Sequence, residues 1–156
     1  MRSLFSPLAL SLVSTVFVAP VMAKVDTNLL AGKWQCNSNF VDLYETNIKS
    51  VHELSKNGRL NSSGDVILAM PQSTISVGYH LEAKGVWSVK EDQLTVRGEV
   101  TSVKNTMHPE WDKMLGLKQL LPETLKGTAT ITHLDASSMT LDDTRTGREY
   151  VCHRMS

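Results

Sequence analysis

The sequence predicts a mainly β domain, an antiparallel up-and-down meander of eight or nine strands closed into a barrel. Three observations lead there. Short apolar stretches alternate with polar residues along most of the chain. Turn-forming residues separate these stretches at short intervals, which joins neighbouring strands antiparallel. The two cysteines, Cys36 and Cys152, fall in the first and last strand-like segments, and a barrel makes those segments neighbours. A β-sandwich can also bring such ends together, so the cysteines favour closure without requiring it.

Before the first strand comes a different kind of segment. Arg2 is the only charged residue ahead of Lys24. Leu8 to Val18 is apolar with a few Ser and Thr, and Pro20-Val21-Met22-Ala23 follows. A basic start, an apolar run and a small residue at the end are the pattern of a cleaved export signal, here over residues 1–23. The run is too short for the roughly 20 apolar residues that span a bilayer, and no second such run follows. Lys24, not Cys, stands after the expected cut, so no lipid anchor is expected there. The expectation is a protein of residues 24–156, without a transmembrane segment, soluble in the periplasm of a bacterium or secreted by another cell. An oxidising compartment pairs thiols, and two cysteines allow one pairing, Cys36 with Cys152. A metal site or a reactive thiol fits these positions less well: Cys36 has no nearby His, and adjacent Cys152 and His153 point to opposite faces of a strand.

The strands follow in order. Lys33-Trp34-Gln35-Cys36 begins after Gly32. Val51 to Leu54 leads into Asn57-Gly58, a strong hairpin signal. Arg59-Leu60 resumes, and Val66 to Leu68 continues after Gly64. Ile75, Val77, Tyr79 and Leu81 alternate strictly with polar or small residues, the mark of a half-buried strand. Gly85 interrupts the run, and Val86 to Val89 starts another strand. Leu94, Val96 and Val100 share a face of the next. Thr128 to Leu134, Met139 to Leu141 and Glu149 to His153 complete the meander. Residues 109–121 read as a single inserted helix. Pro109 suits a first helical turn, Glu110 and Asp112 suit its positive end, and Trp111, Met114, Leu115 and Leu121 recur on one face.

Gly32-Lys33-Trp34 at the start of the first strand, with Gly85-Val86-Trp87-Ser88-Val89 and Leu94 further on, resembles the lipocalin-like (calycin) small exported β-barrels. The resemblance implies a closed barrel of eight or nine strands in which Gly32 and Trp34 are structural. It also implies that Trp34 packs near a basic residue of a late strand, Arg148 or Arg154, through a cation–π contact. The helix departs from the family pattern, which puts a helix after the last strand.

Composition narrows the functions. Lys and Arg number 16 and Asp and Glu 16, so no basic surface points to nucleic acid. There is no phosphate loop and no nucleophile elbow, so no catalytic residue is identified and no enzyme is expected. His52, His80, His108, His133 and His153 show no metal-ligand spacing, and no cofactor or metal is expected. His52 and Leu54 share a strand face. The first expectation is a small apolar ligand inside the barrel, touching Tyr79, Trp87, Ile75, Val77, Leu94 and Val96, with Trp111 on a helix that can act as a lid. The second is a monomeric module with a filled core that binds another exported protein, as a hydrolase inhibitor or immunity protein does. Its surface would be the longest irregular segments, Asn37 to Asn47 or Thr101 to Glu110. Asn61-Ser62-Ser63 fits a glycosylation acceptor or a polar turn.

Overall fold

Eight strands, each hydrogen-bonded to the next and the last to the first, form a closed antiparallel barrel. The structure, a computed structural model, describes residues 25–41, 44–69, 74–112 and 121–156. The export signal expected over residues 1–23 lies outside them. So does most of the helix expected over 109–121, of which Pro109 and Glu110 are described in a turn and Trp111 and Asp112 in helical conformation. A short helix, α1 (Thr27–Leu30), precedes the barrel, and the side chain of Asp26 caps it by accepting from the Asn28 amide. The strands are β1 (Gly32–Val41), β2 (Glu45–Leu54), β3 (Arg59–Ala69), β4 (Ser76–Lys90), β5 (Gln93–Asn105), β6 (Thr124–Leu134), β7 (Ser138–Asp143) and β8 (Glu149–Arg154).

Of the eight or nine strands expected, eight form, because β4 runs unbroken through Gly85. Gly85 pairs with Gly98 of β5. A Cβ on Gly85 would lie 2.0 Å from the Arg97 carbonyl oxygen, and one on Gly98 2.3 Å from that of Lys84. The two glycines therefore let β4 and β5 approach closely; they do not end a strand. Three further expectations are corrected in the same way. Asn37 to Asn47 is largely the end of β1 and the start of β2, which pair from Val41↔Glu45 downward. Thr101 to Asn105 continues β5, leaving only Thr106 to Glu110 of that segment irregular. Asn61-Ser62-Ser63 is strand within β3, not a turn. Polar residues in these stretches concealed strands, because a barrel wall needs apolar residues on one face only.

The closing seam is short. β1 and β8 pair over four residue positions, from Trp34↔Arg154 to Asn37↔Val151, whereas β1 and β2 pair over ten. The Cys36–Cys152 disulfide lies inside that seam, both residues buried and paired directly across it.

The inward face is packed most densely at the end where β1 begins. Leu30, Trp34, Leu54, Leu60, Trp87, Leu94, Ile131 and Met139 form one buried cluster there, joined by the disulfide. The indole N–H groups of both tryptophans are satisfied: Trp34 donates to the Leu30 carbonyl at 2.8 Å and Trp87 to that of Ser55 at 2.9 Å. Arg154 closes this end. Its guanidinium lies 4.2 Å from the Trp34 ring centroid and donates to the carbonyls of Ala31, Leu29 and Ala136. Arg154, not Arg148, is thus the late-strand cation over Trp34; Arg148 stacks 3.7 Å over Phe40 instead. Gly32 adopts φ 147°, and a Cβ there would sit 2.0 Å from Arg154 Nη1, so only glycine leaves room for the guanidinium.

Two stability changes follow. The disulfide closes a loop of 116 residues, for which chain entropy gives up to about 5 kcal/mol. Replacing both cysteines by alanine should lower the free energy of unfolding toward that limit, read from urea denaturation. Arg154→Met removes three hydrogen bonds and a cation–π contact while keeping the aliphatic stem. It should cost about 2–4 kcal/mol on the same assay, and Gly32→Ala should cost a similar amount by displacing the same guanidinium.

Candidate functional site

Above the packed end the barrel holds a cavity of about 310 Å³. Leu54, Leu60, Leu94, Val96, Leu125 and Leu141 supply its apolar wall, and His52 and Tyr150 add ring faces. The registers explain this gathering. Leu54 pairs with Leu60, and Leu94 with Ala129. Leu141 pairs with both Ile131 and Tyr150. Period-two alternation then points these partners to the inside together. Space is left because Gly127 and Ala129 of β6 stand where larger side chains would meet Val96 and Leu94.

The cavity reaches the surface beside the β7–β8 turn. Those strands have six residues each, against fifteen in β4, so the wall is short on this side. Lys126, Asp143, Arg145 and Arg148 line this mouth. The Asp143 carboxylate is committed to the turn, accepting from the Arg145 amide at 2.8 Å and the Thr146 amide at 3.1 Å. Burial alone would raise its pKa, but these backbone donors and nearby Arg145 hold it below the usual carboxylate value. The Tyr150 hydroxyl is shifted upward, by burial first and by Asp143 second, against the opposing pull of Arg148 and Arg145.

His52 is the polar feature of the interior. Its Nδ1 meets Ser62 Oγ at 2.8 Å and its Nε2 meets Ser50 Oγ at 2.9 Å. One ring nitrogen donates and the other accepts, so the neutral ring is fully satisfied. Burial pushes its pKa down to about 4.

The structure places the seven ligand candidates unequally. Leu94 and Val96 line the cavity. Trp87 belongs to the packed cluster beside it. Val77 and Tyr79 face inward at the opposite end of the barrel, where Val77 pairs with Leu68 and Tyr79 with Val66. Tyr79 is 1% exposed, and its hydroxyl donates to Asp112 Oδ1 at 2.7 Å. Burial, with that carboxylate, pushes its pKa up to about 12. Asn105 also donates to Asp112, at 3.0 Å, so this trio ties the end of β5 to the residues that follow it. Ile75 precedes β4 and is 46% exposed. Trp111 stacks on His108 with ring centroids 4.0 Å apart. His80 and His133 bond to Asp65 and Asp135 at the surface. The sequence pairs His52 with Leu54 on one face but does not reveal Leu60, Leu125, Leu141 and Tyr150 beside them. Their signal is the inward phase of each strand, which becomes readable only once the registers are fixed.

No protein-family model matches the chain, and a search of curated proteins finds none similar to it.

The buried ring makes stability depend on pH with a definite sign. At pH 7 His52 is neutral in both states. Below its ordinary value of 6.5 the unfolded chain takes up a proton that the folded one refuses until about pH 4. Stability attributable to His52 therefore falls as pH drops through that window, by about 3 kcal/mol in all. His52→Gln should flatten the unfolding free energy between pH 7 and pH 4, measured by urea titration at each pH.

Proposed function

We propose that this is an exported lipocalin-like protein that binds a small, largely apolar molecule inside its barrel. The observation that carries the reading is the cavity itself. A volume of about 310 Å³ is at the lower end of ligand sites and has room for on the order of ten water-sized groups. Its apolar lining favours burial of hydrocarbon, at roughly 25 cal/mol for each Å² removed from water. The polar ring in its wall is already satisfied, since His52 is held by Ser50 and Ser62. An apolar guest would therefore leave neither ring nitrogen of His52 stranded.

Support for the lipocalin-like assignment comes from the closed eight-strand meander and from the contact between Trp34 and Arg154 beside Gly32. Support for export comes from the pattern of residues 1–23 and from a disulfide, which persists in oxidising compartments. No helix among the described residues is long and apolar enough to cross a membrane. The reading as a protein–protein module with a filled core is weaker, because the interior retains space and most of its expected loops are strand.

Native mass spectrometry of protein taken from its export compartment should show an added non-protein mass. Gly127→Leu should abolish it. A Cβ at that position would meet only Val96 Cγ2, at 3.7 Å, so the larger side chain has room to fill the cavity without disturbing the wall. Protein that carries no added mass, and binds no member of a panel of small apolar compounds by calorimetry, would reject the proposal.

A further inference from the structure

A line of positive charge crosses the outer face of the barrel. Arg59 of β3 pairs with Val86 of β4, Val86 with Arg97 of β5, and Arg97 with Lys126 of β6. The residues beside them, Leu60, Trp87, Val96 and Leu125, pack inside, and alternation along each strand puts the line outside. All four of its residues are exposed, Val86 by 57%. Arg97 and Lys126 stand directly opposite each other, and like charges so placed repel. Among the described residues, neither these two nor Arg59 forms an ion pair. The rows on either side differ. One holds Ser88, Thr95 and Thr128, which carry no charge. In the other, between Asn61 and Thr124, Lys84 stands opposite Glu99, and their charges cancel. The excess is therefore confined to one line. Equal numbers of acidic and basic residues in the chain give no sign of it.

We propose that this line is a docking surface for an acidic polysaccharide laid across the strands. Three strand spacings separate Arg59 from Lys126, about 14 Å in all, so the cations meet charges strung along a chain. An anionic membrane is a plane and calls for cations spread over an area, which the flanking rows do not supply. A single strand of nucleic acid is held by base stacking on aromatic side chains as well as by its phosphates, and no aromatic side chain lies in these rows. A sugar chain needs hydrogen-bonding groups beside the cations. The hydroxyls of Ser88, Thr95 and Thr128 and the amide of Asn61 stand there, and exposed Val86 offers an apolar rest for a ring face. Arginine's planar fork suits the carboxylates or sulfates of such a chain. The path stays open past Lys126, because β7 pairs with β6 only from Ala129 onward. A groove of about 500 Å³, lined by Thr95, Arg97, Lys126, Thr128 and Arg145, continues there. Its one carboxylate, Asp143, is engaged by the amides of its own turn and by Arg145. This surface is independent of the barrel interior and of what the cavity holds.

The test measures binding of heparin, alginate, neutral dextran, a single-stranded oligonucleotide and phosphatidylglycerol vesicles to the full protein at low ionic strength. Heparin and alginate should bind, and dextran should not. Salt should weaken both, because the screening length falls from about 10 Å at 0.1 M to about 3 Å at 1 M. Arg59→Gln/Arg97→Gln/Lys126→Gln should lower the affinity on the order of tenfold. Glu99→Gln should raise it. Lys49→Gln, on the outer face but opposite Asp65 and away from the line, should leave it unchanged. The substituted residues are exposed, and removing the repulsion between Arg97 and Lys126 should hold or raise the urea midpoint, which distinguishes a lost site from a lost fold. Failure of heparin and alginate to bind, an equal loss in Lys49→Gln, or binding to the oligonucleotide or the vesicles as tight as to heparin would overturn the proposal. Each of these results would leave the reading of the cavity standing.

Discussion

The joining of β1 to β8 is the constraint on which the rest of the molecule depends. A meander of eight strands has two edges, and each edge exposes backbone donors and acceptors until it is paired. Here the pairing that removes both edges is only four residues long. So few ladder bonds would be a weak closure by themselves. The chain reinforces them twice, with the disulfide between Cys36 and Cys152 and with Arg154, which bonds the carbonyls of Leu29, Ala31 and Ala136 while covering Trp34. Without this seam the inner faces of the strands would not enclose a volume, and the cavity would be an open trough.

Side-chain size then divides the interior. Tryptophan, leucine, isoleucine and methionine fill the end where β1 begins. Farther along, the inward positions of β1, β2 and β3 include Ser38, Ser50 and Ser62, and on β6 Gly127 and Ala129 stand opposite Val96 and Leu94, where the cavity lies. Side chains as small as those of β6 do not reach across the barrel, so space remains beside them. The polar atoms that the serines introduce are paired. Among the described residues every buried side-chain nitrogen and oxygen has a hydrogen-bond partner. His52 illustrates the requirement, since an imidazole in this position is tolerated only while neutral and held at both nitrogens.

Much of the fold was legible in the sequence because alternation along a strand is a local property. Ile75 to Leu81 read as strand from period two alone, and the turn at Asn57-Gly58 from its residue types. The strands that escaped notice were polar on both counts. Asn37-Ser38-Asn39 and Asn61-Ser62-Ser63 carry small polar residues toward the interior, where alternation cannot distinguish them from a loop. Gly85 misled for a related reason: a glycine that admits a neighbouring strand looks, in one dimension, like a glycine that ends its own.

The sequence by itself determined the class of fold and the one pairing open to its two cysteines, while the cation over Trp34 was implied only by the resemblance to lipocalin-like barrels. The first two depend on residue type and on spacing along one chain. Only the tertiary structure decided which cation that is, where the interior is empty, and that Lys126, Arg145 and Arg148 gather at its mouth. Those facts depend on register between strands distant in sequence. A shift of one residue in any pairing would turn a lining side chain outward, and nothing within a single strand records which register its neighbour takes.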